Sequence, residues 1–153
     1  MKARRVHSFE PQAHLIDVIK KTLELNQIDN VTLHHAVAGA KLGKAHLKRT
    51  HVENSGMAEF RPGAGDLPVD MLPVDDVVGE EHVTGVKIDV EGMQMPVLRG
   101  MSKTIRRCAP VLWLELRPAK GEIEQPSEWL AKRGYRRQQI SFRDFLFIPE
   151  TPA

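Results

Sequence analysis

The residues best placed to do chemistry are carboxylates. Asp89 and Glu91 lie two apart in Lys87-Ile88-Asp89-Val90-Glu91-Gly92, at the end of a run rich in β-branched residues. Such a run predicts a strand, and residues two apart on a strand share a face. Carboxylates in that setting can take or orient the proton of a reacting hydroxyl. Lys87, two residues before Asp89, gives a competing reading in which Lys87 and Asp89 form a structural ion pair. Glu10 ends the short segment Arg5-Val6-His7-Ser8-Phe9 and precedes Pro11 and a helical pattern. A carboxylate there can accept hydrogen bonds from both hydroxyls of a ribose, or it can cap the helix.

Other reactive residue types lack such a setting. The seven histidines, His34 and His35 included, form no compact ligand motif with Cys or carboxylates, so no metal site is expected. Cys108 is alone and has no evident base partner, which argues against a catalytic thiol. Asp75-Asp76 reads as a cluster that satisfies free N–H groups at a helix start. Gly63-Ala64-Gly65 follows Pro62 with no strand before it and no helix after it, so it is not a phosphate-binding turn. Trp113, Trp129 and Tyr135 read as packing residues.

The elements that must position these groups alternate. A strand to Phe9 is followed by a helix over 13–27, with Leu15, Ile16, Ile19 and Leu23 at helical spacing. Val31 to Val37 reads as a second strand, Val69 to Leu72 as a short strand, Val74 to Val78 as a helical turn, and 83–92 as a further strand that feeds a single helix from about Gln94 to Arg107. Pro110 to Leu116, nearly apolar throughout, predicts a strand buried on both faces. A short helix over Pro126 to Lys132 and a hairpin of Tyr135 to Ser141 with Asp144 to Ile148 complete the order. Strand–helix alternation predicts an α/β fold on a mostly parallel sheet. In such a sheet ligands bind beyond the carboxyl ends of the strands, which directs attention to Glu10, His35-Ala36-Val37, Asp89 to Gly92 and Glu115. Residues 40–70, with Gly and Pro scattered among polar residues, are expected to be an irregular loop or lid, with a short hairpin around Ala45 to His51.

With 153 residues the chain is sized for a single domain, 1–153, that needs no disulfide. A net charge of +2 and 5% aromatic residues argue against a nucleic-acid partner. No segment approaches the length of a membrane span or has the apolar core of a signal peptide, and one cysteine suits a reducing compartment, so a cytoplasmic protein is expected.

Val6-His7-Ser8-Phe9-Glu10-Pro11, Asn30-Val31, Ala36-Val37-Ala38-Gly39, Lys87-Ile88-Asp89-Val90-Glu91-Gly92 and Val97-Leu98-Arg99-Gly100 together resemble the FkbM-type methyltransferases. The likeness runs from about Val6 to Glu115. It implies a Rossmann-like class I fold, S-adenosylmethionine as cofactor, and O-methylation of a sugar or another small hydroxylated metabolite. By the same resemblance Glu10 holds the cofactor ribose, and Ala36 and Val37 border the adenine with His35 beside them. Asp89 and Glu91 face the methyl group and acceptor, with Asp89 the first candidate for the base.

Family members also carry an Asp-x-Gly-Ala-Asn-x-Gly-like turn between a first strand and its helix, and no such segment occurs in these 153 residues. The resemblance therefore implies a sheet without its first strand and helix, open between the strands ending at Glu10 and Asp89. Three outcomes follow: a piece of a longer enzyme, an inactive remnant in which those two strands pair and which serves as an interaction domain, or a homodimer or partner chain that covers the exposed edge.

Overall fold

In the strands 85–88, 111–115 and 144–149 successive side chains point to opposite faces, and alternate residues are buried. A computed structural model describes residues 3–47, 60–61 and 67–150. Its strands are β1 (Val6–Phe9), β2 (Val31–His34), β3 (Val37–Ala38), β4 (Gly43–Leu47), β5 (Phe60–Arg61), β6 (Leu67–Leu72), β7 (Gly85–Ile88), β8 (Val111–Glu115), β9 (Tyr135–Gln139) and β10 (Asp144–Pro149). Its helices are α1 (Ala13–Leu25), α2 (Val74–Val78), α3 (Gln94–Gly100), α4 (Ser102–Cys108) and α5 (Glu124–Ala131).

The largest sheet runs β7-β8-β10-β9, parallel between β7 and β8 and antiparallel in the terminal hairpin and its pairing with β8. Its register puts Val86 and Ile88 beside Leu112 and Leu114, and these beside Phe147 and Phe145. That face packs on Leu98, Met101, Ile105 and Leu130 from α3, the following turn, α4 and α5, and forms the core. The opposite face is open. Val111 and Trp113 are 40% and 42% exposed, which corrects the expectation that the strand at 110–116 is buried on both sides. No described element lies over it, and the Trp113 indole N–H instead donates to Asp144 Oδ1 at 2.8 Å.

β1 and β2 form a separate parallel pair, Val6 opposite Val31 through Phe9 opposite His34. Among the described residues β1 has no second strand partner and β7 pairs only with β8, so β1 and β7 do not pair with each other. Side chains link the two bodies: Glu81, which precedes β7, accepts from Arg5 at 2.7 Å and lies 3.5 Å from His7 Nε2. His7 Nδ1 and His34 Nε2 share one hydrogen across 3.0 Å. The α1 helix buries Ile16 and leaves Val18 and Leu25 exposed.

The stretch expected to be irregular is partly ordered. β4, β5 and β6 build a mixed sheet in the order β3-β6-β4-β5, whereas 48–59 and 62–66, with Gly56, Gly63 and Gly65, lie outside the described residues. Sheet pairing across the molecule is thus more antiparallel than the expected mostly parallel sheet. The chain changes sheets at His35-Ala36, which divides the second predicted strand into β2 and β3.

The single helix expected over 94–107 is two. Gly100 closes α3 against β3 so tightly that a Cβ there would overlap the carbonyl of Gly39. After Met101 the chain restarts as α4, whose first N–H groups and the Thr104 hydroxyl donate to Asp75 at 2.7–2.9 Å. Asp75 does satisfy helix N–H groups as expected, but those of α4 and not of its own helix, a role that sequence spacing does not reveal.

Two measurements check this account. Gly100→Ala should cost about 2–3 kcal/mol in urea unfolding, because a backbone carbonyl must move; Gly39→Ala, which meets the flexible Met71 thioether, should cost less. Burial first, and then the charge of His7, lowers the His34 pKa from 6.5. The unfolded chain therefore takes up the proton first as pH falls, so the contribution of His34 is complete above about pH 6.5 and is lost as pH drops through its folded value. The melting temperature should fall from pH 7.5 to 5.5, with a shallower slope in His34→Gln.

Candidate active site

The carboxyl ends of β7 and β8 lie side by side, and β10 begins at the same level. Asp89 follows the last residue of β7, Glu115 ends β8, and Asp144 lies directly opposite Glu115. The three acids form a row, with Lys87 and Trp113 one step back in the register. Lys87 Nζ donates to Asp89 Oδ2 at 2.9 Å, so the structural pairing read from the sequence is present, with both side chains about half exposed. That hydrogen bond raises the Lys87 pKa.

Glu115 stands beside Asp89 at the adjoining ends of the parallel strands β7 and β8. Burial, and then the charge of Asp89, raises the Glu115 pKa. Asp144 behaves in the opposite way: hydrogen bonds from Ser141 and Trp113 lower its pKa. Glu115 is the main residue of this group that the sequence reading did not develop. Its position at a strand end was visible, but its contact with Asp89 depends on β7 and β8 being neighbours.

Glu91 turns away from this row. Its Oε2 accepts from Arg117 NH1 at 2.7 Å, while Arg117 Nε and NH2 grip the Glu122 carboxylate at 2.6–3.1 Å. Glu122 also accepts from the Arg117 N–H and the Gln94 amide at 3.0 and 3.1 Å. Arg117 lowers the Glu122 pKa, and the two carboxylates raise that of Arg117. Side-chain exposures of 26%, 16% and 12% for Glu91, Arg117 and Glu122 mark the network as largely shielded from water. It ties the turn after β7 to the segment after β8.

The third group lies beyond the ends of β1 and β2. Glu10 Oε1 accepts from the Gln12 N–H at 2.8 Å, which fixes the carboxylate over the entry to α1. His35 Nε2 donates to the Pro11 carbonyl at 3.1 Å, so Glu10 and His35 belong to one corner. Ala36 and Val37 are buried behind it. Among the described residues no hydrogen bond or ion pair joins this corner to Asp89; the predicted residues fall into two clusters flanking the unpaired edges of β1 and β7.

The corner fits the adenosine half of the cofactor that the sequence resemblance implies. An oriented carboxylate suits ribose hydroxyls, and small buried apolar residues suit the edge of a flat ring. The described residues contain no glycine-rich strand-to-helix turn between the clusters to hold the methionine arm. Nor is any helix among them long and apolar enough to cross a membrane.

Residues 1–137 match the family model for the methyltransferase FkbM domain. A curated protein called methyltransferase 1, from Beauveria bassiana (strain ARSEF 2860), is 23% identical over 152 residues, an alignment covering 84% of this chain and 61% of that protein. The crystal structure of methyltransferase FkbM from Methylobacillus flagellatus KT superposes with a TM-score of 0.67 at 17% identity, over 94% of this chain and 36% of that one. The present chain thus spans about three fifths of the curated relative and about a third of the solved one. A family match over most of its length, and a shared fold, make this chain a member of the FkbM methyltransferase domain family.

Proposed function

We propose that the chain serves S-adenosylmethionine-dependent methyl transfer to a hydroxyl of a sugar or another small metabolite in the cytoplasm. The observation that carries this reading is the Asp89–Glu115 pair at the adjoining ends of two parallel strands, across an open edge from the Glu10 corner. When bound, the cofactor supplies a methyl group on a positively charged sulfur. Glu10 would accept from the ribose hydroxyls, and His35, Ala36 and Val37 would border the adenine. Asp89, fixed by Lys87, would take the acceptor's proton, with the Glu115 carboxyl beside it at the end of the next strand. The grip of Arg117 favours a positioning role for Glu91, which anchors the turn that carries Asp89.

A second reading has its own observation. The unpaired edges of β1 and β7, with no described residues for the methionine arm, suit a site completed by a strand from a homodimer mate or partner chain; without it, the chain would act only as an interaction domain.

Calorimetric titration with S-adenosylmethionine, run beside size-exclusion chromatography, separates these readings. Binding supports the methyl-transfer reading, binding confined to a dimer supports strand donation, and a folded monomer without binding supports the interaction domain. In any form that binds, Asp89→Asn should retain cofactor affinity and lose methyl transfer by about a hundredfold or more. Unchanged turnover would remove Asp89 from the role of base. Arg117→Ala should lower stability by about 3 kcal/mol, since Glu91 and Glu122 would be left shielded and unpaired.

A further inference from the structure

A cleft of about 580 Å³ lies between α4, the turn from α5 into β9, and the end of β10. It is far from the acids described above. β10 starts opposite Glu115 and reaches the cleft at Pro149, five residues on, or about 17 Å along the sheet. Three cations line the cleft, Lys103 and Arg106 from α4 and Arg133 from the turn, together with one carboxylate, Glu150. Ala109 and Pro149 supply its apolar surface, over a floor of buried Ile105 and Tyr135.

The cations are not all accounted for by the fold. Arg107, their neighbour on α4, donates to the carbonyls of Gly79, Glu80 and Glu81 at 2.6–2.9 Å and so has a structural task. The Lys103 and Arg106 side chains have no hydrogen-bond or ion-pair partner among the described residues. Arg133, which also lines the cleft, is preorganised: its guanidinium stacks 3.4 Å from the centre of the Trp129 ring and NH1 donates to the Trp129 carbonyl. Beneath them Tyr135 is 5% exposed, and burial and the nearby Cys108 push its pKa up to about 12, so the wall stays uncharged at neutral pH.

We infer that this cleft is a second ligand site, separate from the methyl-transfer end, for a small organic phosphate whose apolar part lies against Ala109 and Pro149. Three positive charges against one negative leave a net charge of two, which the dianion of a phosphate monoester neutralises. Planar guanidinium groups and a mobile ammonium suit its three oxygens. The concavity and small volume favour a metabolite over an extended polyanion.

Phenyl phosphate is the probe, titrated into the isotope-labelled chain with amide shifts recorded, beside inorganic phosphate and phenol. Phenyl phosphate should bind about tenfold or more tighter than either fragment, with the largest shifts at Ser102, Gly134 and Glu150. Lys103→Ala/Arg106→Ala should weaken it about tenfold, and Arg136→Ala, an exposed cation outside the cleft, less than twofold. The proposal is overturned if phenyl phosphate binds no tighter than phosphate, if the shifts fall elsewhere, or if Arg136→Ala weakens binding as much as the double variant. Should the double variant misfold, the fragment comparison and shift map on the unaltered chain decide the question alone.

Discussion

Arg117 stands where the chain leaves β8, and its guanidinium bonds at once to Glu91, from the turn after β7, and to Glu122, ahead of α5. Gln94, the first residue of α3, joins through Glu122 and the Glu115 carbonyl. The two connections that leave this end of the sheet, from β7 to α3 and from β8 to α5, are therefore joined through one shielded cation. Coulomb attraction at such low exposure is screened far less than on the surface, and two carboxylates on one guanidinium fix its orientation as well as its place. The position of Asp89 follows from this, because Asp89 lies in the same turn as Glu91.

The second constraint is one of incompleteness within the described residues. A twisted sheet with helices on one face buries that face only, and here the other face shows Val111, Trp113 and the Lys87–Asp89 pair. Beside it, β1 and β7 each present an edge with free hydrogen-bonding groups. Arg5, His7 and Glu81 hold the entrances of these strands in the same neighbourhood, but side chains alone span the join. The two candidate clusters lie on opposite sides of it, so whatever covers the edges would also complete the site.

Charge is distributed in keeping with this layout. Acids gather at the carboxyl ends of the strands, and cations at the far end, on α4 and in the turn before β9. Because Asp89, Glu115 and Asp144 come from three strands and Lys103, Arg106 and Arg133 from two other segments, neither grouping appears as a charge run in the sequence.

Local chemistry determined much by itself. The β-branched run at 83–92, the closely spaced terminal hairpin, the helical spacing in 13–27, and the Lys-Ile-Asp-Val-Glu-Gly segment were enough for the α/β class, the family resemblance, and the roles considered for Glu10 and Asp89. These signals reside in neighbouring residues, so the sequence carries them whole. Only the tertiary structure decided that the apolar strand at Val111 is open on one face, that Asp75 caps a helix 28 residues away, and that Glu91 belongs to Arg117 while Glu115 lies beside Asp89. Each of these depends on which strands and helices become neighbours. That is settled by core packing and by backbone contact at Gly39 and Gly100, over separations that no local pattern records.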